Sequence, residues 1–221
     1  MVKEELHKIW KELPEGVRLV AISKYHPADA IKEAYDAGQR IFGENHVQEL
    51  VAKEAVLPKD IEWHFTGHLQ TNKVKYIAPF VSLIHSVDSE HLLAEIDKQG
   101  AKAGRRIPCL LQLHIAEEST KFGFTPQDLD LFLSSGKYLK FQNTQIRGLM
   151  CMGTFTDDRS QTDREFSLAQ DTFSSVKNHY FADDDSFCEL SMGMSDDYHI
   201  ALRHGSTLVR IGTQIFGQRV Y

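Results

Sequence analysis

Lys24 follows the apolar run Arg18 to Ser23 (RLVAIS) directly. An amine at such a strand end projects toward a barrel mouth, loses solvation, and its pKa falls from about 10.4. A partly neutral amine is what an imine with an aldehyde requires, although a lysine at a strand end is equally a plain surface residue. Two further strand ends lie near the C-terminus: Ser191-Met192-Gly193-Met194-Ser195 and Arg210-Ile211-Gly212-Thr213. Gly193 frees the backbone for close approach. Ser195 is placed to cap a helix starting at Asp196, and Gly212-Thr213 supplies bare amides and a hydroxyl. Such donors suit a phosphate dianion. Singly, the same residues make tight turns and a cap; paired on the two final loops, they point to an anion site.

Other constellations are weaker. His64 and His68 are four apart, but on a strand and its loop with no third ligand, so no metal site is expected. Ser195, Asp196 and His199 are bunched on one turn, and Asp197 stands where a nucleophile elbow needs glycine. The chain has neither a phosphate-binding P-loop nor GxGxxG. Met150, Met152, Met192 and Met194 read as barrel lining and cofactor packing.

The elements that must position these residues alternate. Strand-like runs are Arg18 to Ser23, Arg40 to Phe42, Glu62 to Thr66, Val81 to Val87, Ile107 to Ile115, Ile146 to Met152, Phe187 to Ser191 and Thr207 to Ile211. Helical segments start at Pro27, His46, about Asn72, after a Ser89 cap, at Pro126, after Asp163 and at Asp196. Unbroken alternation implies parallel strands with right-handed crossovers. About eight units predict a single (β/α)8 barrel of the TIM type over residues 1–221, with an open doubly wound sheet as the alternative.

Composition narrows the function classes. The chain is 42% hydrophobic and 25% charged, with Lys+Arg 25 against Asp+Glu 31, a net charge of -6. It has no basic cluster for nucleic acid. No apolar run reaches the ~18 residues of a membrane span, and the charged opening from Met1 to Lys8 lacks a signal-peptide core. Cys109, Cys151 and Cys188 stand in apolar stretches outside any CxxC pair. They are expected to be buried free thiols of a cytoplasmic protein.

Several segments, in order, resemble the pyridoxal-phosphate homeostasis proteins (the YggS/PROSC family), relatives of the N-terminal barrel of alanine racemase. They are LVAISK (Leu19 to Lys24), FGENHVQE (Phe42 to Glu49), WHFTGHLQTNK (Trp63 to Lys73) and ESTKFGF (Glu118 to Phe124). RGLMCMG (Arg147 to Gly153), LSMGMSDD (Leu190 to Asp197) and GSTLVRIGTQIFGQR (Gly205 to Arg219) complete the set. The resemblance implies a barrel holding pyridoxal 5′-phosphate as an imine on Lys24. It implies phosphate contacts at Ser191, Gly212 and Thr213, with Gly193 and Ser195. Asn45 would line the cofactor site, and Arg210 would face the pyridine nitrogen. Departures are a short segment before Lys24, His114 where relatives often have Asn, and Thr66 in place of Ile.

An arginine at the ring nitrogen leaves the ring unprotonated, a weak electron sink. The racemases also use a tyrosine base from another domain, for which a chain ending at Tyr221 has no room. The expected function is therefore cofactor binding and intracellular vitamin B6 homeostasis with little or no turnover. Apo pyridoxal-phosphate enzymes are the expected recipients, and a monomer is the expected state. An amino-acid racemase is the alternative, followed by a phosphate-substrate enzyme without cofactor.

Overall fold

A computed structural model describes residues 2–116 and 122–218 of the chain. The first helix, α1 (Val2–Glu12), was not among the expected elements, although Val2, Leu6 and Ile9 recur at helical spacing and are its buried face. The units that follow are β1 (Arg18–Ile22), α2 (Ala28–Asp36), β2 (Ile41–Glu44), α3 (Val47–Val56), β3 (Glu62–Phe65), α4 (Val74–Ile77), β4 (Leu83–Val87) and α5 (Glu90–Ala103). The second half comprises β5 (Ile107–Leu113), α6 (Pro126–Ser134), β6 (Thr144–Cys151), α7 (Arg159–Tyr180), β7 (Glu189–Met194), α8 (Tyr198–Arg203), β8 (Leu208–Ile211) and α9 (Thr213–Phe216).

The eight strands are parallel and form a closed barrel in chain order, with β8 pairing back onto β1. The predicted (β/α)8 barrel is thus the observed fold, and the open sheet is excluded. The expected Ser89 cap holds, its Oγ accepting from Leu92 N–H (3.3 Å), and Thr125 Oγ1 caps α6 in the same way, accepting from Asp128 N–H (3.1 Å). Several boundaries moved. β2 runs on through Gly43 and Glu44, and β7 runs through Met194. The ESTKFGF segment lies mostly outside the described residues, as does Arg219.

Apolar burial falls in two layers. The large outer core packs strand faces such as Leu19, Phe42, Phe65 and Ile84 against helix stripes such as Ile31, Leu50, Ile96 and Phe166. A small inner cluster of Val20, Ile41, Leu83, Leu110, Met150 and Leu208 fills the barrel itself. Each fully buried side chain of this size stabilises by about 1.5–3 kcal/mol relative to exposure. The outer layer therefore carries most of the fold, and the narrow interior can admit polar groups. At the floor, Glu189 accepts from Arg18 and from Thr207 Oγ1 (2.8 Å). Cys109 and Cys151 are buried, and burial pushes both thiols up to about 12. Cys188 corrects the expectation of three buried thiols: it precedes β7 and is exposed. Among the described residues no helix is long and apolar enough to cross a membrane.

Candidate functional site

Where β1, β2, β6, β7 and β8 end, a cavity of about 280 Å³ opens. Lys24, Asn45, Ser195, Arg210, Gly212 and Thr213 all line it, together with Ile22, Thr66, Met152, Phe155, Met194 and Asp196. Residues that are 189 positions apart meet here because β8 closes onto β1: Val20 stands opposite Arg210, and Ala21 opposite Ile211. The closure is tight. A Cβ on Gly212 would come within 2.9 Å of Ile22 O, so the two strand ends approach at a distance no side chain allows. A larger cleft of about 730 Å³ adjoins, sharing Met152, Phe155, Met194 and Asp196 with the first.

Lys24 is half-buried, and both of its neighbours are anchored. Ser23 Oγ donates to Glu44 Oε1 (2.6 Å), while Ser23 O accepts from the buried Lys53 Nζ (2.8 Å). Lys53 also pairs with Glu44 (2.7 Å) and with Glu49 (3.2 Å). On the other side, Tyr25 N–H donates to Glu49 Oε1 (2.7 Å), and the Tyr25 hydroxyl is 2.8 Å from His46 Nε2. Tyr25 has φ 66°, the left-handed region that costs a non-glycine residue about 1–2 kcal/mol. The backbone is held there by Glu49. Burial pushes the Glu44 carboxyl up to about 7, against the opposing pull of Lys53 and Ser23. Sequence reasoning missed Glu44, Glu49 and Lys53, which read as ordinary members of the FGENHVQE motif and the helix after it.

Arg210 is buried on the cavity wall and holds two neutral oxygens: Nη1 donates to Ser191 Oγ (2.6 Å) and Nη2 to Cys151 O (2.8 Å). No carboxylate bonds to it among the described residues. The remaining N–H groups of a five-donor guanidinium are available to the cavity. Across the mouth, Asn45 Oδ1 accepts from Thr66 Oγ1 (2.9 Å), so the Thr66 departure does change local hydrogen bonding.

Two sequence-predicted residues are elsewhere. Ser191 is fully buried one layer beneath the cavity, its hydroxyl shared between Arg210 and His85. Gly193, at φ +93°, lets α8 settle on β7: a Cβ there would stand 2.7 Å from Ala201 Cβ and 2.9 Å from Tyr198 Cα. Its glycine serves helix packing, and it is not on the cavity wall. Ser195 lines the cavity but caps nothing. The helix begins at Tyr198, two residues later than expected, because Asp197 Oδ1 takes Met194 N–H (2.5 Å) and keeps the chain in a turn. α9 begins at Thr213, and its third and fourth N–H groups turn back to Gly212 O (2.9 and 3.0 Å), leaving those of Thr213 and Gln214 outside the ladder.

The two histidines considered as metal ligands part company. His64 is buried inside the barrel and bonded to His85, whereas the exposed His68 is 3.3 Å from Asp88 and stacks on Phe122. Among the described residues no group of three or more His, Cys, Asp or Glu could hold a metal. His85 has no local signal in the sequence, because it stands in an apolar strand whose partners are set by register.

This geometry defines a lysine-bearing (β/α)8 barrel with an arginine at its mouth bonded to a hydroxyl and a carbonyl. The model of the family described as alanine racemase, N-terminal domain, matches residues 2–220. The alanine racemase of Bartonella henselae shares the fold, with a TM-score of 0.73 at 14% identity, covering 99% of this chain and 58% of that one. Closer likenesses come from smaller proteins. A protein of Aquifex aeolicus named pyridoxal phosphate homeostasis protein is 36% identical over 100% of this chain and 96% of its own length. PipY of Synechococcus elongatus is 39% identical, with a TM-score of 0.92 over 98% of this chain and 100% of that chain. PipY has also been solved with pyridoxal phosphate bound (TM-score 0.88, 38% identity). The chain belongs to the pyridoxal phosphate homeostasis proteins, within the wider family of alanine racemase N-terminal domains.

Proposed function

We propose that this protein holds pyridoxal 5′-phosphate as an imine on Lys24 and serves vitamin B6 homeostasis in the cytoplasm as a single-domain monomer, with little or no turnover. One observation carries the reading: Lys24 and Arg210, the arginine held by a hydroxyl and a carbonyl, face one small cavity whose rim offers backbone amides. The residues fit the cofactor. Lys24 offers the amine. Gly212, Thr213 and Ser195 offer amides and hydroxyls to a phosphate, and Arg210 offers N–H donors to the ring nitrogen. Asn45 flanks the ring on the opposite wall. Ser191 and Gly193 act from behind: Ser191 orients Arg210, and Gly193 seats the helix under the phosphate loop.

When bound, the cofactor supplies an aldehyde and an electron-withdrawing ring. The protein limits what that ring can do, because a guanidinium keeps its protons and leaves the ring nitrogen unprotonated. Support for the homeostasis role comes from the relative of that name, and support for the ligand from PipY. Apo pyridoxal-phosphate enzymes are the proposed recipients.

Purified protein supplied with the cofactor is expected to absorb at the visible edge. Borohydride is expected to abolish the band and leave one added mass on the Lys24 peptide. Lys24→Ala is expected to lose the band entirely. A band unchanged in that variant overturns the lysine assignment, and racemase turnover of about 1–1000 per second overturns the non-catalytic one.

A further inference from the structure

A line of hydrogen bonds runs down the barrel axis from Arg210. Arg210 Nη1 is 2.6 Å from Ser191 Oγ, Ser191 Oγ is 2.9 Å from His85 Nδ1, and His85 Nε2 is 2.9 Å from His64 Nδ1. All four residues are 5% exposed or less. The direction of each bond follows by accounting. A guanidinium only donates, so Ser191 Oγ accepts from it. The single hydroxyl proton then needs an acceptor, because a buried donor left unpaired costs about 1–3 kcal/mol. Among the described residues His85 Nδ1 is the one other partner of that hydroxyl. His85 is therefore protonated on Nε2, which donates to His64 Nδ1, and His64 carries its own proton on Nε2.

Both imidazoles are neutral. Burial holds them below the ordinary histidine range, and the nearby cations Arg18, Arg147 and Arg210 add to the effect. Asp197 feels the charge of Arg210 but makes no hydrogen bond to it among the described residues. Every lone pair in the line faces Arg210 and every proton points away from it. Such a chain stabilises a buried cation cooperatively without cancelling its charge. A carboxylate in the place of Ser191 would instead neutralise the guanidinium and draw it off the cavity wall.

We propose that Ser191, His85 and His64 are positioning residues that replace a counter-carboxylate with a one-way line of dipoles, so that Arg210 stays an uncompensated donor selecting ligands with an electron-rich ring nitrogen. The identity of that ligand rests on the cofactor reading above; the direction of the line does not.

Nitrogen-15 NMR of the cofactor-free protein tests the line by itself. Both histidines are expected as neutral Nε2–H tautomers that do not titrate between pH 5 and 8, which lies above the value of about 3 for His64. A His85 protonated on Nδ1, or an imidazolium at neutral pH, overturns the proposal. The consequence is read with pyridoxine 5′-phosphate, which has the ring and phosphate but no aldehyde. His85→Leu and Ser191→Ala are expected to weaken it about tenfold, and Ser191→Asp about a hundredfold. Ser191→Thr is expected to restore binding, with inorganic phosphate affinity unchanged throughout. Folded His85→Leu, Ser191→Ala and Ser191→Asp variants that bind the probe within twofold of wild type overturn the proposal. A wild-type protein that ignores the probe refutes the cofactor reading instead, and the tautomers still decide the line. If His85→Leu fails to fold, the tautomers and Ser191→Ala decide.

Discussion

Lys24 and Arg210 reach one cavity from neighbouring strands, yet their supports differ in kind. Behind Lys24 is a cluster of ionisable groups, with the buried Lys53 between Glu44 and Glu49. Behind Arg210 are a hydroxyl, a carbonyl and two neutral imidazoles. The charged cluster grips backbone, fixing the peptides on either side of Lys24. The neutral line grips a side chain whose charge must remain unspent. Rigid placement tolerates ion pairs, whereas presentation of a charge to a ligand excludes them.

The largest effect should come from breaking the charged side. Lys53→Met leaves the buried Glu44 and the half-buried Glu49 without their cation and is expected to cost about 3–5 kcal/mol by denaturant unfolding. Adding Glu44→Gln should recover a good part of it. A loss below about 1 kcal/mol would mean that the cluster is not a structural hub. On the neutral side, Arg210→Ala is expected to shift the absorption band and weaken pyridoxine 5′-phosphate about a hundredfold, near 2.7 kcal/mol, while inorganic phosphate is retained. Equal loss of both ligands would return Arg210 to the phosphate.

The two supports should also respond to pH in opposite senses. Glu44 is raised from 4.5 to about 7 on folding, so its contribution is full below about 4.5 and is lost as pH rises toward about 7. His64 is lowered from 6.5 to about 3, so its contribution is full above about 6.5 and is lost as pH falls toward about 3. Glu44→Gln should therefore flatten the loss of stability on the alkaline side by at most about 3 kcal/mol, and His64→Gln the loss on the acid side by at most about 5 kcal/mol. Profiles parallel to wild type would contradict the assigned directions. The smallest effect is expected at Tyr25→Gly, where relief of the left-handed backbone offsets the lost contact with His46. Unfolding free energy should change by less than about 1 kcal/mol. A change several-fold larger would make the Tyr25 side chain, and not Glu49, the anchor.

Much of this was legible in the sequence because punctuation and periodicity are local. Apolar runs ended by Gly, Pro and capping residues gave eight strands, and the order of the strands followed from the alternation. Lys24, Asn45, Ser195, Arg210, Gly212 and Thr213 meet on one cavity because strand ends in a closed barrel converge. Ser191 and Gly193 do not line that cavity, for a reason of register. β7 extends to Met194, which leaves Ser191 a layer below the mouth and Gly193 against α8. The His64–His85–Ser191 line was out of reach altogether. Its members are 21 and 106 residues apart, and only the stagger of β3, β4 and β7 brings them together. Glu44 and Lys53 were hidden similarly, since a helix face with one lysine turned inward looks the same in sequence as one turned outward.

The seam between β1 and β8 has a consequence for the birth of the protein. A nascent chain presents Lys24 189 residues before Thr213, whose loop would receive the phosphate. Until β8 is available to zip onto β1, the emerging polypeptide has half a receptacle and cannot sequester a reactive aldehyde. Capture is thereby deferred until the barrel can close, and occupancy becomes a receipt for that closure.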